Sequence, residues 1–233
     1  MNSYERFCFN LIGHDLKKKR GDYISLRNDL MGARMNTPFE AYLATAYVSS
    51  VIVGLVAALL IGIFAYLLRI PEMIVYRGAV PDFLYALNDY KMPLGMIVIT
   101  IISLLVFGGL TYLIFILYPG IQAGERRRNI DATLPYAINY VTAMSSAGIT
   151  PDEVFRLLGK STIYGESAVE ARYITRETDF FGKDLLEALR SVSLATPSER
   201  MREFLQGAVA SISSGSNLTE YFRTKAHQYT LEN

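Results

Sequence analysis

The stretch Gly148-Ile149-Thr150-Pro151-Asp152-Glu153-Val154-Phe155 decides the fold, because its pattern returns twice further along the chain. The second copy is Gly182-Lys183-Asp184-Leu185-Leu186-Glu187-Ala188-Leu189, and the third is Gly215-Ser216-Asn217-Leu218-Thr219-Glu220-Tyr221-Phe222. Each copy has a glycine, then Thr, Asp or Asn, then a glutamate, and finally Phe or Leu. The glycines lie 34 and 33 residues apart, and a period of this size indicates a repeated supersecondary unit.

Each copy predicts the end of one helix and the start of the next. The glycine can adopt the left-handed conformation that ends a helix. The Thr, Asp or Asn can accept a hydrogen bond from the free N–H groups of the following helix, and the glutamate is placed as in a capping box. Valine at Gly165, outside the pattern, is expected to destabilise the domain less than valine at Gly182. The residues of the three turns are Gly148, Gly182 and Gly215; Thr150, Asp184 and Asn217; and Glu153, Glu187 and Glu220.

The segments around these turns have helical periodicity. Thr196-Pro197-Ser198-Glu199 predicts a capped helix start with Pro197 at the first helical position. The predicted helices are 131–147, 151–160, 163–181, 185–193, 197–214 and 218–230. Short turns join antiparallel neighbours, so the fold class is all-α, with an antiparallel bundle of about six helices in three hairpins. The alternative is that the segment is only a stable bundle, because a fold does not by itself imply a function.

Two long uncharged runs precede the bundle. One extends from Ala41 to Leu68 and covers 28 residues, and the other extends from Met92 to Gly124. Because about 20 apolar residues cross a bilayer as a helix, the runs predict transmembrane helices within 37–69 and 92–120. A buried helix of a soluble protein is the alternative, and two separate runs of this length favour the membrane. Tyrosines lie toward the expected membrane interfaces, at Tyr42, Tyr47, Tyr66, Tyr112 and Tyr118.

The basic residues predict the orientation of the chain. Seven Lys or Arg residues precede the first span, and three lie in the loop between the spans. Arg126-Arg127-Arg128 follow the second span. Because positive residues favour the cytoplasmic side, we expect a cytoplasmic helical segment at 1–36, an external loop at 70–91 and a cytoplasmic bundle at 121–233.

The first span carries small residues at every fourth position. They are Ser50, Gly54, Ala58 and Gly62. This spacing places them on one helix face, where another helix can approach closely. The second span, a second copy of the chain and another subunit are all possible partners for this face. Neither span contains a charged residue, which disfavours an ion or proton path through these two helices.

The N-terminal segment contains one apolar helix face, formed by Tyr4, Phe7, Cys8, Leu11 and Ile12. This face can lie on the membrane surface, on a partner or on the protein's own bundle. The basic run at 17–20 follows it and favours the cytoplasmic leaflet. Cys8 is the single cysteine, so the chain has no internal disulfide framework.

The sequence contains no motif that indicates an enzyme. Gly159-Lys160-Ser161 is similar to the end of a phosphate-binding loop, but Val154 stands where that motif requires a glycine. No His-Glu-x-x-His and no paired cysteines are present, so no metal or cofactor is expected. The net charge of +1 gives no indication of a nucleic-acid partner.

Five short motifs in order resemble the type II secretion system F domain. They are Leu134-Pro135, Ala147-Gly148-Ile149-Thr150, Phe181-Gly182-Lys183-Asp184-Leu185, Thr196-Pro197-Ser198 and Ser214-Gly215-Ser216-Asn217-Leu218. The resemblance covers about residues 125–230. That domain is the cytoplasmic helical bundle of membrane platform proteins in secretion systems, type IV pili, Tad pili and the archaellum. A basic N-terminal segment followed by two spans is most similar to the archaeal branch.

The resemblance implies a non-enzymatic platform in the cell membrane that couples a cytoplasmic hexameric ATPase to the insertion of pilin-like filament subunits. Membrane lipid and a second copy of the chain are further partners to expect. A membrane-anchored scaffold or a regulatory subunit of a transporter complex is the alternative. Members of the family usually continue into more transmembrane helices, so a truncated chain and half of a split platform are both open.

The turn regions also predict where partners bind. The three turns are expected to gather at the end of the bundle that faces the cytoplasm. Asp152 and Lys183 are the charged side chains there that capping least requires, which makes them candidates for docking the ATPase. Arg126, Arg127 and Arg128 are expected close to the bilayer, where they would contact anionic lipid.

Overall fold

The computed structural model describes residues 2–16, 21, 23–69 and 91–231 of the chain. Nearly all of the predicted external loop and the basic run at 17–20 lie outside the described residues. All regular secondary structure in the described part is α-helical, which confirms the all-α prediction. The chain divides into two compact units, Met1–Tyr23 with Asn36–Tyr118, and Ile24–Met35 with Pro119–Asn233.

The first unit contains α1 (Ser3–Leu16), α3 (Phe39–Leu67) and the first part of α4 (Lys91–Ser146). Both α3 and α4 include a segment long and apolar enough to cross a membrane. α1 packs on the beginning of α3. The Tyr4 hydroxyl lies 3.0 Å from the Ser49 hydroxyl, and the Thr37 hydroxyl donates to Glu5 at 3.4 Å. Cys8 is fully buried.

The small-residue face of α3 packs against α4 within this unit. All four of its residues are buried. A methyl group added at Gly54 would lie 3.1 Å from the carbonyl oxygen of Leu104, and one added at Gly108 would lie 3.2 Å from that of Ser50. The helices are therefore as close as glycine permits, and the second span is the partner that this face contacts.

Tyrosine hydroxyls add polar contacts to the same pair of helices. The Tyr42 hydroxyl donates to the carbonyl of Phe115 at 2.7 Å. The Tyr23 hydroxyl lies 3.2 Å from that of Tyr47 and 3.0 Å from that of Tyr112. These contacts satisfy polar groups on otherwise apolar surfaces, which is favourable where water is scarce.

The second unit contains α2 (Ile24–Gly32), the remainder of α4 and five further helices. The five are α5 (Pro151–Lys160), α6 (Gly165–Asp179), α7 (Leu185–Ala195), α8 (Glu199–Ser213) and α9 (Leu218–Leu231). Their apolar faces form one core with α4. Its largest fully buried side chains include Phe222, Ile138, Ile174, Leu189 and Leu205.

Two consecutive pairs of these helices are antiparallel. Between α5 and α6, Arg156 forms a 2.8 Å ion pair with Asp179, and an added methyl group at Gly159 would lie 3.0 Å from Arg172. Between α8 and α9, the Tyr229 hydroxyl donates to the carbonyl of Arg200 at 3.1 Å. In each pair, later residues of the second helix contact earlier residues of the first.

Two predicted boundaries differ from the structure. α4 continues from Lys91 to Ser146 with Pro119 and Pro135 inside it, so the separate helix predicted at 131–147 is the end of the helix that contains the second span. No glycine turn interrupts the backbone hydrogen bonding between the two segments. The predicted segment 1–36 is also divided, because α1 belongs to the first unit and α2 to the second.

Candidate interaction surface of the helical domain

The backbone at the three repeated turns has the left-handed conformation. The φ angles are 83° at Gly148, 65° at Gly182 and 68° at Gly215. The Asp184 carboxylate accepts a hydrogen bond from the backbone N–H of Glu187 at 2.8 Å. The Asn217 side-chain oxygen accepts one from Thr219 at 3.0 Å. These two turns therefore end one helix and cap the next.

The first turn differs from the predicted capping. Thr150 occupies the N-cap position of α5, but its side chain makes no capping hydrogen bond. Pro151 is the first residue of α5 and has no backbone N–H, and it also sets φ for the helix start. The Glu153 carboxylate accepts a hydrogen bond from Arg156, and that of Glu220 accepts one from Arg223 at 3.3 Å. These glutamates form ion pairs along their own helices.

The start of α8 lies two residues later than predicted. Ser198 is the N-cap, and its hydroxyl accepts a hydrogen bond from the N–H of Met201 at 3.0 Å. The same hydroxyl donates to Asp131 of α4. Thr196 instead ends α7. Ser198 is favoured as the cap because it can serve both the helix and the neighbouring carboxylate.

Gly165 also has a positive φ, although it lies outside the repeated pattern. Its φ is 48°, and an added methyl group would lie 3.2 Å from the Thr133 side chain. Gly165 is the first residue of α6, and Thr133 lies on α4. Close packing on α4 therefore restricts this position as well.

The turn at Gly182 carries an exposed aromatic pair that the sequence analysis did not identify. Phe180 is 84% exposed and Phe181 is 59% exposed. The Arg176 guanidinium lies 5.6 Å from the centre of the Phe181 ring. The predicted helix 163–181 included both residues, whereas α6 ends at Asp179. Two adjacent phenylalanines directly before a helix-ending glycine are the sequence feature that could have indicated this exposed pair.

The two candidate docking residues differ in their surroundings. Asp152 is exposed in the first turn of α5. Lys183 forms a 2.6 Å ion pair with Glu177 of α6, and this hydrogen bond raises the pKa of the Lys183 ammonium group. Lys183 therefore remains charged, but part of its charge is balanced within the domain.

Arg126 is not available to lipid in this structure, contrary to the prediction. Its side chain is 15% exposed and pairs with Glu166 and Glu170 of α6, both at 2.9 Å. It also donates to the carbonyl of Gly32 in α2 at 2.6 Å. The neighbouring Arg127 and Arg128 are exposed. Burial against two carboxylates and a carbonyl satisfies the Arg126 guanidinium inside the domain.

Glu170 connects α2 to the rest of the second unit. It is fully buried and accepts hydrogen bonds from Arg126 at 2.9 Å and from Arg34 at 2.6 Å. The Arg34 guanidinium also lies 4.0 Å from the centre of the Tyr173 ring. Arg34 has a positive φ of 53°. A buried carboxylate between two arginines joins the segment after α2 to α4 and α6.

The described residues contain no group of three or more His, Cys, Asp or Glu side chains placed to hold a metal ion. The surfaces described above carry exposed charged and aromatic side chains. The described part of the chain thus combines two helices of membrane-spanning length and apolar composition with a helical domain of short turns.

Comparison with protein families identifies the helical domain. Residues 137–233 match the family model of Type II secretion system (T2SS), protein F. This part of the chain is therefore similar to protein F of the type II secretion system. The match lies entirely within the second unit, and it includes all three repeated turns.

Three curated relatives come from the archaeon Methanocaldococcus jannaschii. An uncharacterised protein is 36% identical over 110 residues, covering 47% of this chain and 18% of the relative. Flagella accessory protein J is 25% identical over 137 residues, covering 54% of this chain and 24% of its own length. A second uncharacterised protein is 24% identical over 112 residues, covering 48% of this chain and 33% of the relative.

The chain thus spans between about a fifth and a third of the length of these relatives. The similarity to a flagella accessory protein supports the archaeal branch of the family. No solved structure matches this chain.

Proposed function

We propose that this protein is a membrane platform of a type IV filament or secretion system, which couples a cytoplasmic hexameric ATPase to the insertion of pilin-like subunits. The observation that carries this proposal is the family match over residues 137–233. The similarity to flagella accessory protein J supports a filament of the archaellum type. The two long apolar helices agree with a place in the cell membrane.

The proposed docking surface for the ATPase is the region of the α5 start and the Gly182 turn. It comprises Asp152, Lys183, Phe180 and Phe181. Exposed aromatic side chains surrounded by charges are typical of the residues that dominate protein interfaces. Two exposed phenylalanines cost solvation free energy in the free protein, and a partner that buries them recovers it.

Arg127 and Arg128 are the proposed lipid contacts that remain from the basic run. Both are exposed, whereas Arg126 is held inside the domain. Arginines close to a bilayer are attracted by anionic headgroups and contribute about 1 kcal/mol each. This role agrees with a bundle on the cytoplasmic side of the membrane, which is part of the same proposal.

Copurification with the ATPase tests the docking surface. We expect Phe180→Ser combined with Phe181→Ser to reduce ATPase recovery at least tenfold, because the apolar part of the interface is lost. Asp152→Lys is expected to weaken binding more at low salt than at high salt, since exposed charges are screened by ions. The measurement is ATPase recovered with the tagged chain from solubilised membranes at several salt concentrations.

The Lys183–Glu177 pair requires its own control. Lys183→Glu alone places two carboxylates together, so a loss of binding would have two explanations. The exchange of both residues, Lys183→Glu with Glu177→Lys, keeps the pair and moves the positive charge. Normal ATPase recovery in the serine and lysine variants would exclude this surface. Recovery of a transporter core in place of an ATPase would favour the regulatory-subunit alternative.

A further inference from the structure

The position of α1 on α3 defines which side of α1 is covered. Cys8 is buried, and Glu5, Phe9 and Ile12 are partly buried. At roughly 100° per residue, these four positions lie on one side of the helix. The Thr37 hydroxyl donates to Glu5 at 3.4 Å, which places that side against the start of α3. The Tyr4 hydroxyl reaches Ser49 of α3 at 3.0 Å, so Tyr4 lies at the border of the covered side. The opposite side of α1 is therefore its free surface within this unit.

The free surface of α1 divides into an apolar edge and a polar edge. Tyr4, Phe7 and Leu11 are exposed, with Phe7 at 57% and Leu11 at 61%. Leu11 and Tyr4 lie about 40° and 60° from Phe7 around the helix axis. The exposed residues on the other edge are Ser3, Arg6 and Asn10, which lie about 40° to 100° from Phe7 in the opposite direction.

The pattern of exposed side chains along α3 indicates the depth in the bilayer at which α1 lies. From Phe39 to Ser50 the residues of α3 are buried or partly buried, and from Val51 onward most apolar side chains are exposed. The stretch from Val51 to Leu68 is about 27 Å long at roughly 1.5 Å per residue. This length is close to the hydrocarbon thickness of about 30 Å. α1 contacts the residues just before this stretch, at the expected level of the headgroups.

Three tyrosines also indicate that α1 lies at the level of the lipid headgroups. The hydroxyls of Tyr23, Tyr47 and Tyr112 form one hydrogen-bonded group beside the start of the apolar stretch. Tyrosine is enriched where a membrane meets water. An exposed apolar edge next to an exposed polar edge matches the geometry of a helix that lies in this layer.

We propose that α1 is an interfacial helix whose Tyr4, Phe7 and Leu11 edge inserts into the lipid bilayer beside α3, while Ser3, Arg6 and Asn10 face water. Tyr4 lies beside Ser49, next to the point at which the exposed apolar stretch of α3 begins at Val51. This position favours lipid as the occupant over a soluble partner. The proposal requires a place in the membrane but is independent of ATPase coupling. It makes α1 an anchor that holds the start of the first span at a fixed depth.

The first test compares two adjacent positions in the full chain. Cys8→Ala removes the single thiol, and Leu11→Cys or Asn10→Cys then receives a nitroxide spin label. The protein is reconstituted in vesicles of phosphatidylcholine and phosphatidylglycerol. We expect oxygen, which concentrates in lipid, to relax the label at position 11 several-fold more effectively relative to an aqueous nickel complex than the label at position 10. Equal ratios at the two positions would overturn the proposal.

A second test identifies what covers the apolar edge. A photoreactive benzoylphenylalanine replaces Phe7, and the adducts formed in the same vesicles are identified by mass spectrometry. A lipid adduct at position 7, with little adduct when Arg6 is replaced, supports the interfacial helix. A crosslink to a second copy of the chain, or a label at position 11 shielded from both relaxing agents, would show that protein covers this edge and would exclude the proposal.

Discussion

At the scale of single residues, a substitution at Gly182 measures the energetic cost of a side chain in left-handed backbone. Its φ is 65°, and an added methyl group would meet no atom within 4 Å. Substitution therefore changes the backbone energy with little change in packing. Gly124 is the matched control, because an added methyl group there also meets nothing within 4 Å but the residue lies inside α4.

We expect Gly182→Ala to lower the free energy of unfolding by about 1–2 kcal/mol, the cost of left-handed backbone with a side chain. Gly124→Ala is expected to raise it by up to about 1 kcal/mol, because alanine favours a helix interior over glycine. Thermal unfolding of the detergent-solubilised chain, followed by circular dichroism, measures both. Changes of the same sign would contradict the turn conformation at Gly182.

Local patterns in the sequence were sufficient to predict the turns but not every helix cap. The glycine, the Asp184 cap and the Asn217 cap depend on residues within three positions, so spacing alone predicted them. The choice between Thr196 and Ser198 depended on Asp131, a residue 67 positions away in the sequence. A cap that also serves a distant carboxylate cannot be distinguished by local pattern.

At the scale of helices, α2 packs in the second unit, although no sequence pattern assigned residues 24–32 to the bundle. Its Leu26 and Leu30 are buried, and a methyl group added at Gly32 would lie 3.1 Å from Pro197. The ion pair of Arg34 with Glu170 joins residues 136 positions apart. Hydrophobic periodicity reports on one helix at a time, so it could predict α5 to α9 but not this long-range pair.

We predict that α2 stabilises the helical domain. A fragment of residues 119–233 is compared with the same fragment carrying residues 24–35 on a flexible linker. The fusion is expected to be more stable by about 2 kcal/mol, because two leucines become buried, at roughly 1.5–3 kcal/mol each, minus the cost of ordering the segment. Urea unfolding followed by circular dichroism gives both free energies.

Two variants of the fusion distinguish the effect of the Arg34–Glu170 contact from the effect of adding a peptide segment. Arg34→Ala removes one of the two partners of the buried Glu170 and should abolish most of the gain, since a buried charge that loses a partner is costly. Arg27→Ala changes an exposed residue of the same segment and should have little effect. Equal stability of the fragment and the fusion would show that α2 contributes nothing to the domain.

At the scale of the whole molecule, the sequence predicted two membrane-spanning helices followed by a helical domain, and the structure has helices of the required length. The boundary between the compact units falls between Tyr118 and Pro119, inside α4. Composition could not predict this continuity, because the charges of Arg126 to Arg128 look like the end of a span. Arg126 is a partly buried contact of the domain, which only the positions of Glu166 and Glu170 reveal.

The orientation of the chain in the membrane is the last prediction. The excess of basic residues before the first span predicts that the N-terminus lies in the cytoplasm and the loop at 70–91 lies outside. Cys8 is fully buried, so the natural thiol is a poor probe, and Cys8→Ala is used as the background. A cysteine at Asn10, which is exposed, should react with a membrane-impermeant maleimide only after the cells are opened. A cysteine at Asn88, within the predicted external loop, should react in intact cells. Labelling of position 10 in intact cells, with position 88 protected, would contradict the predicted orientation. The helical domain would then lie on the side away from a cytoplasmic ATPase.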